Sequence, residues 1–187
     1  MVMTDMMVDV ETTGTNPEFA AVMQIAAIKF NHGTEEIGPT FNRALALAPN
    51  RFWDDDTKSW WMRQKRSVFD GIVARMEDPR AVTEAFYRYA LEDAPPGGYR
   101  FWAKPTSFDW PMIAGYMRQY ALPMPFHYRQ ARDVNTYIAA CMDNGVEHKE
   151  LEHITAPGDA HNALHDCVLQ LKKVFAAKNK LWGEVLP

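Results

Sequence analysis

The first third of the chain carries short apolar runs separated by polar turn signals, a pattern typical of β-strands joined by tight connections. One run extends from Thr4 to Asp9 and a second from Ala21 to Phe30. The second run ends at Asn31-His32-Gly33, which favours a hairpin turn, so a third strand is expected between Glu35 and Arg43. The pattern therefore predicts an antiparallel meander of three strands.

From Thr57 onward the apolar positions recur mostly at helical spacing. One short buried strand is expected at Tyr99 to Ala103, after a loop rich in Pro and Gly. This order of elements predicts an α/β fold with a mixed central sheet and flanking helices. The expected helices are a stretch from Thr57 through Val68, Ala81 to Leu91 opened by Asp78-Pro79, Trp110 to Tyr120, Val134 to Met142, and Ala160 to Leu181.

The composition is that of an ordinary globular domain, with 47% hydrophobic and 24% charged residues in 187 positions. Length and the lack of repeats or linkers in the sequence predict a single domain over residues 1–187. No apolar run approaches the roughly 20 residues of a membrane span, and Asp5 and Asp9 stand where a signal peptide would be basic and then apolar. Cys141 and Cys167 are the only cysteines, which favours a reducing compartment. We therefore expect a cytoplasmic protein without a membrane partner.

The formal net charge of −4 argues against a protein that coats nucleic acid through bulk electrostatics, since such binders present a strongly basic face. It leaves open an enzyme that contacts a few phosphates locally. Arg63, Lys65 and Arg66 lie close together in the sequence. They either follow phosphates or form a solvated helix face.

Asp9 and Glu11 are two residues apart at the end of the first predicted strand. Side chains alternate along a strand, so both carboxylates would lie on one face. Like charges held close together on an apolar strand resist joint ionisation, and a divalent cation is the simplest remedy. The alternative is that both side chains lie in a solvated loop.

A second acid, Asp109, follows Phe108 after the strand that ends at Ala103. It either belongs to the same site as the first two acids or caps the helix that is expected to begin at Trp110.

The segment that opens the last helix contains His161, His165 and Asp166. His161 and His165 are four residues apart, a spacing that suits a zinc pair on one helix face, although Asn162 stands where such a site has Glu. The alternative pairs His161 with Asp166. These two diverge by about 140° on an ideal helix, so this pairing requires His161 to lie at the frayed start of the helix.

Three segments together resemble the exonuclease motifs of the DEDDh branch of the DnaQ-like 3′-to-5′ exonucleases. They are residues 9–14 (Asp-Val-Glu-Thr-Thr-Gly), 107–109 (Ser-Phe-Asp) and 160–166 (Ala-His-Asn-Ala-Leu-His-Asp), which follow one another in the family's order. Residues 57–64 and 132–134 look closer still to phage DexA-type exodeoxyribonucleases and to a related group of bacterial exoribonucleases. The resemblance covers nearly the whole chain.

This resemblance implies an RNase H-like fold and assigns roles by position. Asp9, Glu11, Asp109 and Asp166 match the metal-binding acids, and His161 matches the general base. Four carboxylates offer only hard oxygen ligands, which favours two Mg²⁺ or Mn²⁺ ions over zinc. Two such ions can activate water and stabilise the leaving oxygen of a phosphodiester, while a histidine takes up the proton near neutral pH.

Five residues are candidates for substrate binding. Glu11 and Thr12 adjoin the expected metal site, and Phe108 either stacks on a base or packs in the core. Trp60 and Trp61 point to different sides of a helix, so one is expected in the core and the other on a stacking surface. The predicted set is Glu11, Thr12, Phe108, Trp61 and Gln64.

The leading hypothesis is a metal-dependent exonuclease that releases nucleoside monophosphates from the 3′ end of single-stranded DNA. An exoribonuclease of the same mechanism is the alternative, because the choice depends on whether the site accepts a 2′-hydroxyl. A more remote alternative is a non-catalytic RNase H-like module that only binds nucleic acid or a partner protein. A phage origin, as the DexA resemblance suggests, would place the protein in the host cytoplasm.

Overall fold

A computed structural model of the chain describes residues 2–183, which form a six-stranded mixed sheet in the order β4-β3-β2-β1-β5-β6. The strands are β1 (Asp5–Thr12), β2 (Val22–Phe30), β3 (Ile37–Leu45), β4 (Met76–Glu77), β5 (Arg100–Ala103) and β6 (Ala131–Asp133). The helices are α1 (Asp55–Trp61), α2 (Arg66–Val73), α3 (Pro79–Leu91), α4 (Thr106–Gln119), α5 (Val134–Asp143), α6 (His148–Glu152) and α7 (Ala163–Trp182).

Strand β1 lies at the centre of the sheet, antiparallel to β2 and parallel to β5. Strands β1 and β2 are covered on both faces, which explains why their sequences are nearly continuous apolar runs. The predicted antiparallel meander β1-β2-β3 is confirmed, and so is the α/β fold with a mixed sheet and flanking helices.

Alternation along β1 directs its side chains into two cores. Met6, Val8 and Val10 pack in a cluster that contains residues of α3 and α4, such as Phe86 and Ile113. Met7, on the opposite face, packs in a cluster with Cys167 and Leu171 of α7. Asp9 and Glu11 share the parity of Met7, so the pleat directs their carboxylates toward the α7 side of the sheet. The cluster around Met7 also buries one face of α7 against β1.

Several predicted boundaries differ from the structure. The expected helix from Thr57 through Val68 is two helices, α1 and α2, separated by residues 62–65. Helix α4 begins at Thr106, so the predicted start at Trp110 is four residues late. Helix α6 and the strands β4 and β6 were not predicted. They are only two to five residues long, which is too short for a periodic pattern of apolar residues to show. Within residues 2–183, no helix is both long enough and apolar enough to cross a bilayer.

A fully buried carboxylate, Asp5, ties β1 to its neighbours. Its oxygens accept hydrogen bonds from Arg100 Nη2 at 2.5 Å and from Trp102 Nε1 at 2.7 Å, both on β5. The Thr4 hydroxyl and the backbone N–H of His32 donate to the same side chain. Asp5 is therefore fully supplied with donors, as a structural buried acid must be.

Replacing Asp5 with Ala should destabilise the fold by about 2–4 kcal/mol, because the buried indole N–H of Trp102 would lose its acceptor and Arg100 would lose its ion pair. Urea denaturation measures this loss. Asp70→Ala is the matched control: it breaks the exposed Arg66–Asp70 pair and should cost no more than about 0.5 kcal/mol. Equal losses in the two variants would contradict a structural role for Asp5.

Candidate active site

Three carboxylates converge where β1 ends and α7 begins. One oxygen from each of Asp9, Glu11 and Asp166 lies within 4.8 Å of the others. Asp9 and Glu11 reach this point because they occupy alternate positions of β1, and Asp166 because it lies in the first turn of α7. The prediction that Asp9 and Glu11 share a face is thus met, and the solvated-loop alternative is wrong, since Glu11 is 8% exposed.

Asp109 comes to the same cleft from the first turn of α4 and is 2% exposed. Its Oδ1 accepts a hydrogen bond of 2.9 Å from the backbone N–H of Val10, which lies between Asp9 and Glu11. Its Oδ2 is buried and has no hydrogen-bond partner among residues 2–183. The helix-cap alternative is therefore wrong for Asp109, because α4 already begins three residues earlier, at Thr106.

Burial raises the pKa values of all four acids, and repulsion from neighbouring carboxylates adds to this at Asp9, Glu11 and Asp109. Burial, reinforced by the charge of Asp166, raises the pKa of Asp9 to about 7. Burial and the neighbouring carboxylates raise the pKa values of Glu11 and Asp109 well above their ordinary range. Burial also raises the pKa of Asp166. The ionised cluster is thus destabilised until positive charge enters it.

His161 lies immediately outside α7, at the frayed start that the exonuclease resemblance requires. Its backbone N–H donates to Asp166 Oδ2 at 3.0 Å, and its ring contacts the Trp60 ring edge-on at a centroid distance of 4.6 Å. The residue has a φ of 63°, a left-handed conformation that is uncommon in non-glycine residues and that histidine adopts more readily than most. The turn therefore directs His161 toward the acids.

The zinc interpretation of His161 and His165 fails on geometry. His161 precedes the helix, so the two rings do not share a helix face. The Nδ1 of His165 instead lies 2.9 Å from the carbonyl oxygen of Pro157. Within the described part of the chain, the group of side chains able to hold a metal contains carboxylates alone.

The predicted substrate-binding residues divide into two groups. Thr12 and Phe108, together with Glu11, line a cleft of about 550 Å³, which we call the active-site cleft and which has a size suited to a small ligand. It adjoins the cleft that holds the four acids and His161, because Glu11 and Phe108 line both. Gln64 lies outside the residues that line the active-site cleft, and its amide donates to the Trp60 carbonyl oxygen.

The two tryptophans take the core and surface positions that the helix spacing predicted. Trp61 is 5% exposed and donates its indole N–H to the Thr12 carbonyl oxygen at 3.0 Å, so it is the core residue of the pair. Trp60 is more exposed and lies between Trp61 and His161. Both indoles line the active-site cleft, and Trp60 offers the more exposed ring. The predicted contact of Trp61 with substrate stays a prediction.

The sequence analysis missed two glutamines that organise the acids. Gln170, one helical turn after Asp166, donates its amide to Asp9 Oδ1 at 2.8 Å. Gln24 of β2, opposite Glu11, accepts a hydrogen bond from the backbone N–H of Ala163 at the first residue of α7. The i to i+4 spacing from Asp166 was the available signal for Gln170. The role of Gln24 depends on the pairing of β2 with β1 and on the docking of α7, which are long-range contacts.

The residues at this site fit a divalent cation of the hard type. The donors are carboxylate oxygens, which Mg²⁺ and Mn²⁺ prefer, and Asp109 offers a buried oxygen that lacks a partner. The pKa values of Asp9 and Glu11 are raised first by burial and then by the neighbouring carboxylates, and a bound cation would oppose both effects by stabilising the ionised form.

A family described as the 3′-5′ exoribonuclease Rv2179c-like domain matches residues 4–177. This chain belongs to that family. The matched span contains all four acids and His161, and the resemblance to the DnaQ-like 3′-to-5′ exonucleases is confirmed. Curated proteins provide no sequence match to this chain.

Solved structures of exonucleases share the fold. The zinc-bound E. coli exonuclease I complex with single-stranded DNA superposes with a TM-score of 0.72 at 17% identity, over 96% of this chain and 41% of that one. Cell-death related nuclease 4 gives a TM-score of 0.72 at 19% identity, over 96% and 64% of the two chains. E. coli exonuclease I with a dA16 oligonucleotide gives 0.70 at 16% identity, over 95% and 41%. The present chain thus spans about two fifths of exonuclease I and under two thirds of the second nuclease.

The metal-free protein should lose stability as the pH rises from about 4 through about 7, because the raised pKa of Asp9 makes the folded state bind more protons than the unfolded chain. The slope is up to about 1.4 kcal/mol per pH unit for each extra proton, and the raised pKa values of Glu11 and Asp109 act in the same direction. Urea denaturation in chelator at several pH values measures it. Asp9→Asn should flatten the slope, and Mg²⁺ should raise the stability at pH 8. A wild type that gains stability with pH would contradict the cluster's electrostatics.

Proposed function

We propose that this chain is a metal-dependent 3′-to-5′ exonuclease domain that shortens single-stranded RNA and releases nucleoside monophosphates. The observation that carries this proposal is the convergence of four carboxylates and His161 at the mouth of one cleft. We also propose that residues 1–187 form a single exonuclease domain, since every element of the site belongs to one continuous sheet and its helices.

The four carboxylates, Asp9, Glu11, Asp109 and Asp166, are proposed to hold two divalent cations, Mg²⁺ or Mn²⁺. When bound, such ions supply an activated water and stabilise the oxygen that leaves the phosphodiester. The protein's part is to place the oxygens: Gln170 orients Asp9, and the backbone of Val10 orients Asp109.

His161 is proposed to accept the proton of the attacking water. A histidine is suited to this step because its ordinary pKa lies near neutral pH. The hydrogen bond from its backbone N–H to Asp166 holds the residue beside the acids, and Trp60 packs against its ring. The backbone of His161 therefore fixes its position, and the nitrogen atoms of its ring are left for proton transfer.

Thr12, Phe108 and Trp60 are proposed to contact the terminal nucleotide, because they line one cleft with Glu11. An exposed aromatic face beside a phosphate site suits a base, which stacks whatever its identity. Gln64 and Trp61 have a supporting part in this proposal, since one bonds the Trp60 carbonyl oxygen and the other the Thr12 carbonyl oxygen.

The family description names exoribonucleases, which supports RNA as the substrate, whereas the sequence analysis alone favoured DNA. Exonuclease I structures contain single-stranded DNA, which supports an unpaired strand in either case. A non-catalytic module has less support, because such a module has no need to keep four mutually repelling acids together.

Labelled RNA and DNA oligomers of the same sequence should test the substrate. We expect Mg²⁺- or Mn²⁺-dependent release of nucleoside monophosphates from the 3′ end of RNA, at a higher rate than from DNA. Excess chelator should stop the reaction. Asp109→Asn is the matched variant: it keeps the shape of the side chain, should fold normally, and should lose activity. Faster cleavage of DNA would select the DNA alternative, and full activity in chelator would refute the metal site.

Replacing His161 with Ala should lower turnover by roughly 10²–10⁴-fold, because the proton acceptor is lost. The acids remain, so the thermal stabilisation by Mg²⁺ should persist. His165→Ala is the control, because the His165 ring is bound to the Pro157 carbonyl oxygen and lies apart from the acid cleft; its activity should change little. Loss of metal binding in both variants would contradict the role assigned to His161.

A further inference from the structure

A second cleft, of about 360 Å³, lies between α1 and α2 beside the active-site cleft. Its apolar walls are the rings of Trp53, Trp61 and Phe69 with the Met62 side chain. Trp53 and Phe69 lie 6.2 Å apart between ring centroids, and Trp61 and Phe69 lie 5.6 Å apart. We call this feature the Trp53–Phe69 cleft. None of its lining residues belongs to the four acids or to His161.

The Trp53–Phe69 cleft adjoins the active-site cleft directly, because Trp61 lines both. The indole N–H of Trp61 donates to the Thr12 carbonyl oxygen, which fixes the shared wall to the end of β1. A strand with its 3′ end beside Glu11 therefore meets the second cleft after passing one aromatic side chain.

The rim of the Trp53–Phe69 cleft is cationic. Lys58 and Arg66 are its charged lining residues, and both are exposed. Arg66 is also paired with Asp70, which does not line the cleft. The protein as a whole carries a formal charge of −4, so this pair is a local exception. An apolar peptide would need only the rings, whereas a nucleotide needs rings for its base and cations for its phosphate.

We propose that the Trp53–Phe69 cleft binds a base of the RNA strand that lies upstream of the two 3′-terminal nucleotides, with Lys58 and Arg66 against the adjoining phosphates. The inference rests on the proposed exonuclease function and adds a second substrate site to it. Stacking on aromatic rings is tolerant of sequence, so the site gives affinity for longer chains without base preference.

A length series of RNA oligomers, from the dinucleotide upward, tests the proposal by steady-state kinetics. Phe69→Leu removes one ring and should raise KM for the longer oligomers by roughly 5- to 100-fold. The dinucleotide should be unaffected, because it does not reach the second cleft. Lys58→Glu, an exposed substitution that leaves the core intact, should also raise KM for the longer oligomers alone. It should lower the salt dependence of their binding by about 0.7 in log–log slope.

Two controls separate this site from general effects. Arg63→Glu reverses an exposed charge of the same segment that does not line the cleft, and Phe52→Leu removes an exposed ring elsewhere. Both should behave as the wild type. Wild-type kinetics for Lys58→Glu, or an equal loss on all lengths including the dinucleotide, would overturn the cleft proposal while the exonuclease function stands. A wild type that cleaves no oligomer would overturn the function and this inference with it.

Discussion

The repulsion among carboxylates at the end of β1 is the constraint on which the rest of the site depends. Strand alternation places Asp9 and Glu11 on one face, and the docking of α7 brings Asp166 against them. Burial raises the pKa values of these groups, and the neighbouring carboxylates raise those of Asp9 and Glu11 further. Selection for stability alone would replace one of these acids, because burying like charges together is costly. The cluster is therefore evidence for a function that requires negative charge.

The packing of α7 against β1 and β2 opposes that repulsion. Cys167 and Leu171 are buried with Met7 and Ile28, which holds the helix onto the sheet through apolar contact. A hydrogen bond then sets the register of the helix: the side chain of Gln24 accepts it from the backbone N–H of Ala163, the first residue of α7. Hydrophobic burial thus provides the stability, and the hydrogen bond fixes which turn of the helix faces the strand end.

Much of this arrangement was predictable from local sequence. The period-two rule placed Asp9 and Glu11 together, and the Pro157-Gly158-Asp159 turn signal explained how His161 escapes the helix. The contact of Asp109 with β1 was not predictable from the pattern, because it depends on how α4 packs against a strand 99 positions earlier.

Local sequence patterns also do not predict which of the two tryptophans is buried at the cleft. Helical spacing places Trp60 and Trp61 on different faces but does not say which face meets the sheet. Only the hydrogen bond from Trp61 to the Thr12 carbonyl oxygen identifies the core residue. Gln170 has the i to i+4 spacing from Asp166, but this spacing identifies it as a site residue only once its partner, Asp9, is located.

The acids of β1 show how structural and functional carboxylates differ within one strand. Asp5 and Asp9 have the same side chain and the same parity, and both lie among apolar residues. Asp5 accepts hydrogen bonds from four donors, including Arg100, so its charge is neutralised by the protein itself. Asp9 accepts one, from Gln170, and faces other carboxylates. Burial alone therefore does not identify a ligand-binding acid. The distinguishing property is a shortage of protein donors around a buried charge, since a group in that state is stabilised only by what binds it.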